Sequence, residues 1–323
     1  MTRIAVESSR PSGRFMHRYS VAGGAVRGVA VPWRAYWRLC KPKVVLLVTF
    51  TAVVGMFLST AGAPPLGACV FGALGIALAA ASGAALNHVA DRHIDAVMAR
   101  TSRRPLPMGE VGARHAVLFA VALGALAMFV LFRLVNPLTA LLTFISLIGY
   151  AVIYTMFLKR RTPQNIVLGG AAGAAPPVLG WTAVTGQIHP EALLLFLIIF
   201  VWTPPHFWSL AIHRREDYAR AGIPMLPVTH GVRVTKLHIL LYTALLVAVT
   251  MLPFVTHMSG LIYLAGAIAL GIGFLRSALA LYRTDSDAQA MKTFGYSIRY
   301  LSLLFAFLLA DHYARLFLRA FIL

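Results

Sequence analysis

The sequence predicts an all-α, polytopic membrane protein with nine transmembrane helices around a central cavity, and three observations carry that prediction. Of 323 residues, 59% are hydrophobic and 12% charged, with a mean hydropathy of +0.77; soluble domains carry about a quarter charged residues. Apolar runs recur near 44–62, 66–88, 115–135, 137–157, 165–184, 191–212, 237–257, 260–282 and 300–321. Each is close to the ~20 residues that cross a bilayer core.

The third observation is where the charge lies. Of 29 Lys and Arg, 25 fall in the segment up to Lys43 and in the connections 89–114, 158–164, 213–236 and 283–299. A nine-span topology puts all of these on one side, leaving Arg133, Arg315 and Arg319 opposite and Arg276 within a span. The positive-inside rule assigns the basic side and the N-terminus to the cytoplasm. The formal charge of +19 is thus a topology signal for a multi-pass protein of the bacterial inner membrane, its partner a lipid bilayer and not a nucleic acid.

Residues 1–40 are Arg-rich and lack an apolar core segment, so they are not a secretory signal. They are expected to form a disordered basic cytoplasmic tail before an intramembrane domain over 41–323. A mitochondrial presequence, and with it the mitochondrial inner membrane, is the alternative on the same composition. Cys40 and Cys69 lack metal-ligand spacing and read as small buried residues.

Between the spans, the short connections STAGAPPLG, RLVNP, TGQIHPE and THMSG lie on the side poor in basic residues. The two longest, 89–114 and 213–236, follow spans two and six on the basic side. Both begin with a polar helical extension, run through arginines and pass a Pro-rich turn (RRPLPMGEV, GIPMLPVTHGV), which suggests a repeat of two helical halves with a site between them. Span five is rich in small residues, which let helices approach closely, and holds Pro176–Pro177. Span six holds Pro204–Pro205. Paired prolines free backbone carbonyls, tolerated only against protein or a cavity, so two broken helices with a cavity between them are expected.

The strongest chemical signal is Asn87, Asp91 and Asp95, four residues apart where span two meets an Arg-rich segment. If the helix continues through them, one face carries an amide and two carboxylates. Carboxylates at a bilayer edge are costly unless they bind something. Mg²⁺ suits them, because it takes few carboxylates and accepts substrate phosphates as further ligands. Arg100, Arg103 and Arg104 follow, as a pyrophosphate requires. A charged helix end facing water would account for one Asp, but less well for this cluster.

Other candidates are less specific. Tyr154, Lys159, Arg160 and Arg161 end span four, where membrane anchoring explains the cations alone. The loop after span six offers Arg214, Arg215, Asp217 and Arg220, as readily ordinary loop charge as a metal or anion site. His206, between a proline pair and aromatic residues, suits a ligand, a metal or a proton path, or a contact to a neighbouring helix. His88 and His93 flank the acidic motif as supporting partners.

The segments NHVADRHIDAVMARTSRRPLP, YTMFLKRRTPQNIVLGGAAGAAPPVLGWTAV, WTPPHFWSLAIHRREDY and AGIPMLPV resemble the intramembrane aromatic prenyltransferases, the UbiA superfamily. The resemblance covers about 40 to 320; GAAPP-x-x-GW, TPPHFW and DY-x-x-AGIPMLP narrow it to the heme branch. It implies nine helices around a cavity open to the membrane, with farnesyl diphosphate held by Mg²⁺ on acidic motifs. Carried over, Asn87, Asp91 and Asp95 are the first motif, and Arg103 or Arg104 with Lys159 and Arg160 bind diphosphate. Asp217 is the second metal position. His213 and Ala221 stand four residues either side of it, so a symmetric second metal site is not expected.

The implied reaction moves a farnesyl group to a vinyl group of protoheme IX (heme B), with water addition giving heme O. Mg²⁺ and the cations neutralise the leaving diphosphate, and aromatic faces (Tyr154, Trp202, Phe207, Trp208) shield the allylic cation. His206 would contact heme iron, with Arg214 and Arg215 on the propionates. A heme A synthase or terminal oxidase assembly would receive the product. Prenylation of a quinone precursor is the alternative within the family, and small-molecule transport the alternative outside it.

Overall fold

The computed structural model describes residues 33–322, and among these the secondary structure is helical throughout. In chain order the elements are α1 (Trp33–Leu39), α2 (Pro42–Leu58), α3 (Leu66–Val97), α4 (Ala113–Leu134), α5 (Pro137–Arg161) and α6 (Asn165–Thr185). There follow α7 (Pro190–His213), two short helices α8 (Arg215–Arg220) and α9 (Leu226–Thr229), α10 (Gly231–Val255), α11 (Leu261–Arg283) and α12 (Asp287–Ile322). Eight of the described helices are long and apolar enough to span a bilayer; α1 and α2, bent by 51°, make a ninth if taken together.

Two boundaries differ from expectation. Helical structure is already present before residue 41, because α1 buries Ala35 and Leu39 against Ala85, Ala116 and Ala120. Apolar burial on α3 and α4 holds it there; the rest of the expected tail, residues 1–32, lies outside the described residues. The expected 283–299 loop is mostly the first turns of α12, whose polar residues conceal its helical phase.

Local signals place the helix starts. Pro42 and Pro190 occupy the first turns of α2 and α7, where a missing N–H costs nothing. Asn136 caps α5 by accepting from Thr139 N at 2.8 Å. The proline pairs behave differently from each other. Helix α6 is interrupted at Ala175, before Pro176, but α7 continues as α-helix through Pro204–Pro205. Of the two proline pairs, one breaks its helix where both were expected to.

Small residues in α6 do permit close packing. A Cβ on Gly180 would lie 1.8 Å from Ala52 O, and one on Gly55 2.2 Å from Pro177 O. Backbone therefore meets backbone where α2 crosses α6. On the outside, Phe129, Phe132, Phe144, Ile145, Leu241 and Leu245 are exposed, an apolar surface suited to lipid tails and far larger than a soluble protein tolerates.

Candidate active site

Helix α3 runs unbroken through the acidic motif, so Asn87, Asp91 and Asp95 share one face, and all three are buried. Each is held by named partners. Asn87 Nδ2 donates to Asp91 Oδ2 at 3.0 Å and to Thr155 Oγ1 at 3.3 Å, and its Oδ1 accepts from Lys41 Nζ at 2.5 Å. Lys159 Nζ donates to Asp91 Oδ2 at 2.5 Å. Arg104 Nη1 donates to both oxygens of Asp95, at 2.9 and 2.8 Å. Of the two candidate arginines, Arg104 is therefore the one on the motif; Arg103 is exposed. Arg160 donates to Ala90 O at 2.8 Å, fastening the end of α5 to the same stretch of α3.

A π-helical segment, Gly149–Leu158, positions the α5 residues. Its wider turn lets Thr155 Oγ1 donate to Tyr150 O, five residues back, at 2.8 Å. That phase brings Thr155 onto Asn87 and, one turn on, Lys159 onto Asp91. Tyr154 stacks on Tyr150, with centroids 5.7 Å apart, and lies over Gly169, where a Cβ would come within 2.1 Å of its ring.

The second basic loop folds onto the end of α3. Met98 and Ile94 pack with Trp208, Ile212, Tyr218, Ile223 and Met225. Burial raises the Tyr218 phenol above its usual pKa, while Arg100, Arg104 and Arg214 pull it down, so the cations of both connections act on one position. Asp217 is buried and pairs with Arg220 and, at 3.9 Å, with Arg214. Arg215 is engaged elsewhere, donating to Asp287 Oδ1 at 2.6 Å. The expectation of two adjacent arginines facing one ligand is thus corrected: they turn to different partners.

Below the polar cluster lies a cavity of about 160 Å³, lined by Lys41, Val45, Ile76, Gly83, Tyr150 and Pro176 among others. It is bounded by α2, α3, α5 and α6 and is almost wholly apolar. Its α3 lining, Ile76, Ala80, Gly83 and Ala84, continues directly into Asn87 and Asp91 on the same face. Trp202, Phe207 and Trp208 do not line it, nor does Tyr154; Tyr150 is its aromatic wall. The cavity expected between spans five and six lies instead one layer away, because unbroken α7 packs tightly.

His206 lies between α7 and α12, stacked on Trp202 (4.2 Å) and Phe294 (4.6 Å). Its Nδ1 is 2.7 Å from Ser297 Oγ. That hydroxyl already donates to Phe294 O at 2.6 Å, so it accepts from His206, which fixes the proton on Nδ1 and leaves the Nε2 lone pair free. Trp202 Nε1 donates to Ser297 O at 2.8 Å and braces the same point.

Comparison with known proteins matches residues 48–308 to the model of the UbiA prenyltransferase family. The chain belongs to the UbiA prenyltransferase family. It is 65% identical over 284 residues to a protoheme IX farnesyltransferase of Thioalkalivibrio sulfidiphilus, covering 88% of this chain and 94% of that one. It is 61% identical over 293 residues to the one of Nitrosococcus oceani (91% and 98% covered). The fold resembles a solved digeranylgeranylglyceryl phosphate synthase (TM-score 0.73, 18% identity, 87% and 98% covered). It also resembles a UbiA homologue from Archaeoglobus fulgidus bound to DMAPP and Mg²⁺ (TM-score 0.57, 19% identity, 84% and 98% covered).

The residues of this family member suit a divalent cation only in part. Among the described residues no three His, Cys, Asp or Glu side chains converge on one point, so Asp217 stands apart from the Asp91–Asp95 pair in this structure. Asp95 and Asp217 are neutralised by arginines. Asp91 differs: its Oδ1 is buried without a protein partner. A carboxylate oxygen of that kind fits a hard cation whose remaining ligands come from water and phosphate.

Lys41, Thr155 and Tyr150 also belong to the site and were not foreseen. Lys41 had one available signal, a cation immediately before Pro42, and it adopts the left-handed conformation (φ 50°) unusual for a side-chain-bearing residue. Thr155 and Tyr150 had none, since a π-helical phase leaves no trace in a 3.6-residue pattern.

Proposed function

We propose that this chain transfers a farnesyl group from farnesyl diphosphate to a vinyl group of protoheme IX, with addition of water, yielding heme O and diphosphate. One observation carries the reading: an apolar cavity runs along the same α3 face as Asn87, Asp91 and Asp95. A prenyl diphosphate has that amphipathic shape, a polyphosphate head on an apolar tail. The relatives at 65% and 61% identity, named for protoheme IX farnesylation, supply the acceptor.

Lys41, Lys159 and Arg104 meet the diphosphate as it departs and stabilise charge developing on the leaving oxygens. Asp91, whose Oδ1 has no protein partner, would hold a divalent cation, Mg²⁺ in this reading, with Asp95 beside it and Asp217 as a second position; bound there, the cation would neutralise charge on the leaving group. The Mg²⁺- and DMAPP-bound neighbour supports that choice. The apolar walls and Tyr150 keep bulk water from the allylic carbon until the acceptor vinyl attacks.

His206 offers its Nε2 to heme iron, and Arg214 rather than Arg215, whose guanidinium serves Asp287, is the candidate for a propionate. The basic connections and the N-terminus face the cytoplasm across the inner membrane, on the charge asymmetry. A heme A synthase or an oxidase assembly takes the product. The test is expression in a cell lacking its own heme O synthase, followed by pigment extraction. Heme O is expected; a prenylated quinone precursor without heme O would overturn the assignment.

A further inference from the structure

His88 has no part in the reading above, yet its setting is unusual. It is 3% exposed, and neither ring nitrogen has a hydrogen-bond partner. A buried imidazole without partners costs free energy comparable to a lost hydrogen bond on each nitrogen, so such a residue calls for a partner of its own. Its place on α3 names the neighbourhood. Ala84, one turn earlier, lines the apolar cavity, and Asp91, three residues later, sits about 60° around the helix. The charges that act on His88 are those of Lys41 and Arg104, both members of the diphosphate cluster.

The kind of valence left over is informative. Asp95 is satisfied by Arg104, and one oxygen of Asp91 by Lys159 and Asn87. What remains in this wall is the other Asp91 oxygen, Oδ1, and the imidazole of His88. An imidazole in its neutral form offers a lone pair. Two buried lone-pair donors three residues apart on one helix are neighbours on its surface and suit a single electron-pair acceptor.

We infer that His88 is a nitrogen ligand of the divalent cation held by Asp91, with substrate diphosphate and water completing the shell. This rests on the metal-dependent reading proposed above. An imidazole ligand moves a site's preference from Mg²⁺ toward ions that accept nitrogen. Relative to an all-oxygen site, this one binds Mn²⁺ or Co²⁺ more tightly in proportion to Mg²⁺.

The test uses the full chain in lipid nanodiscs, grown with ¹⁵N-histidine and loaded with Mn²⁺ and inorganic pyrophosphate, read by pulsed EPR. A ¹⁵N coupling on Mn²⁺ is expected in the wild type and is lost in His88→Asp, which keeps a ligand oxygen and so still binds Mn²⁺. His88→Asp also raises the Mg²⁺-to-Mn²⁺ affinity ratio, read by calorimetry. Bound Mn²⁺ without histidine coupling, or coupling that persists in His88→Asp, overturns the role of His88. If His88→Asp fails to fold, His88→Asn takes its place, with the same loss of ¹⁵N coupling expected and its persistence overturning the role of His88. Absence of any bound Mn²⁺, with and without pyrophosphate, overturns the metal reading itself and is a distinguishable result.

Discussion

Lys159 Nζ lies 2.5 Å from Asp91 Oδ2, joining the end of α5 to the acidic face of α3 across 68 residues of chain. Both groups are largely buried, Asp91 at 1% and Lys159 at 14% side-chain exposure. A buried pair stabilises little against an apolar pair of the same shape, but removing one partner strands the other at about 3–5 kcal/mol. Asp91→Ala should therefore abolish transfer and also lower the melting temperature in detergent. Asp91→Ala combined with Lys159→Met should recover much of the stability and none of the activity. If the double variant melts no higher than Asp91→Ala, the pair is not the structural element described here.

Lys159→Met alone separates binding from chemistry. Its ammonium is one of three cations at the motif, with Lys41 and Arg104. Losing one preorganised charge at a leaving group typically costs about 10²–10³ in kcat. Farnesyl transfer measured at saturating substrate should fall by that order, with a smaller change in KM. A change confined to KM would mean that Lys159 binds substrate without assisting departure.

The cavity makes its own prediction. Gly173 lines it, and a Cβ there meets nothing within 4 Å, so a larger side chain grows into the space without displacing protein. Gly173→Leu should fold normally, lose activity with farnesyl diphosphate and keep more with the shorter geranyl diphosphate. Gly180→Leu, whose first carbon would lie 1.8 Å from Ala52 O, should instead disrupt the α2–α6 crossing and fold poorly with either substrate. Equal loss on both diphosphates in a folded Gly173→Leu protein would place the prenyl chain elsewhere.

These contrasts show what the sequence could and could not disclose. Span positions and the i, i+4 acidic face were legible, because hydropathy and helical periodicity are local and additive. The joining of Asp91 to Lys159 and of Asn87 to Lys41 was not, since it depends on packing between distant helices and on the π-helical phase of α5. The proline pairs misled for a related reason. Pro176 follows a helix interruption and Pro204–Pro205 does not, although each proline of either pair removes the N–H that would bond the carbonyl four residues back.

His206 can be tested through the residue that orients it. Ser297 Oγ accepts from His206 Nδ1, and this partner sets both ring orientation and tautomer. His206→Ala should abolish the high-affinity phase of a Soret titration with heme B. Ser297→Ala should weaken it about tenfold, the usual range for loss of a group that orients a ligand. Wild-type heme affinity in His206→Ala would move the iron contact to another residue, and Ser297→Ala would then also be silent.

The last prediction separates two neighbouring arginines that the sequence alone could not. Arg104 donates to both oxygens of Asp95 and is about a quarter exposed, whereas Arg103 points outward. Arg104→Ala leaves Asp95 buried at 3% side-chain exposure with its main counter-charge gone, which both destabilises the segment after α3 and removes a cation from the diphosphate face. Arg103→Ala removes a solvated charge, within about 0.5 kcal/mol of neutral. Side-by-side assays of farnesyl transfer and thermal unfolding should therefore show a large loss in both for Arg104→Ala and little in either for Arg103→Ala. The reverse order would mean that Arg103 turns inward when diphosphate binds, and that Arg104 serves only to hold Asp95.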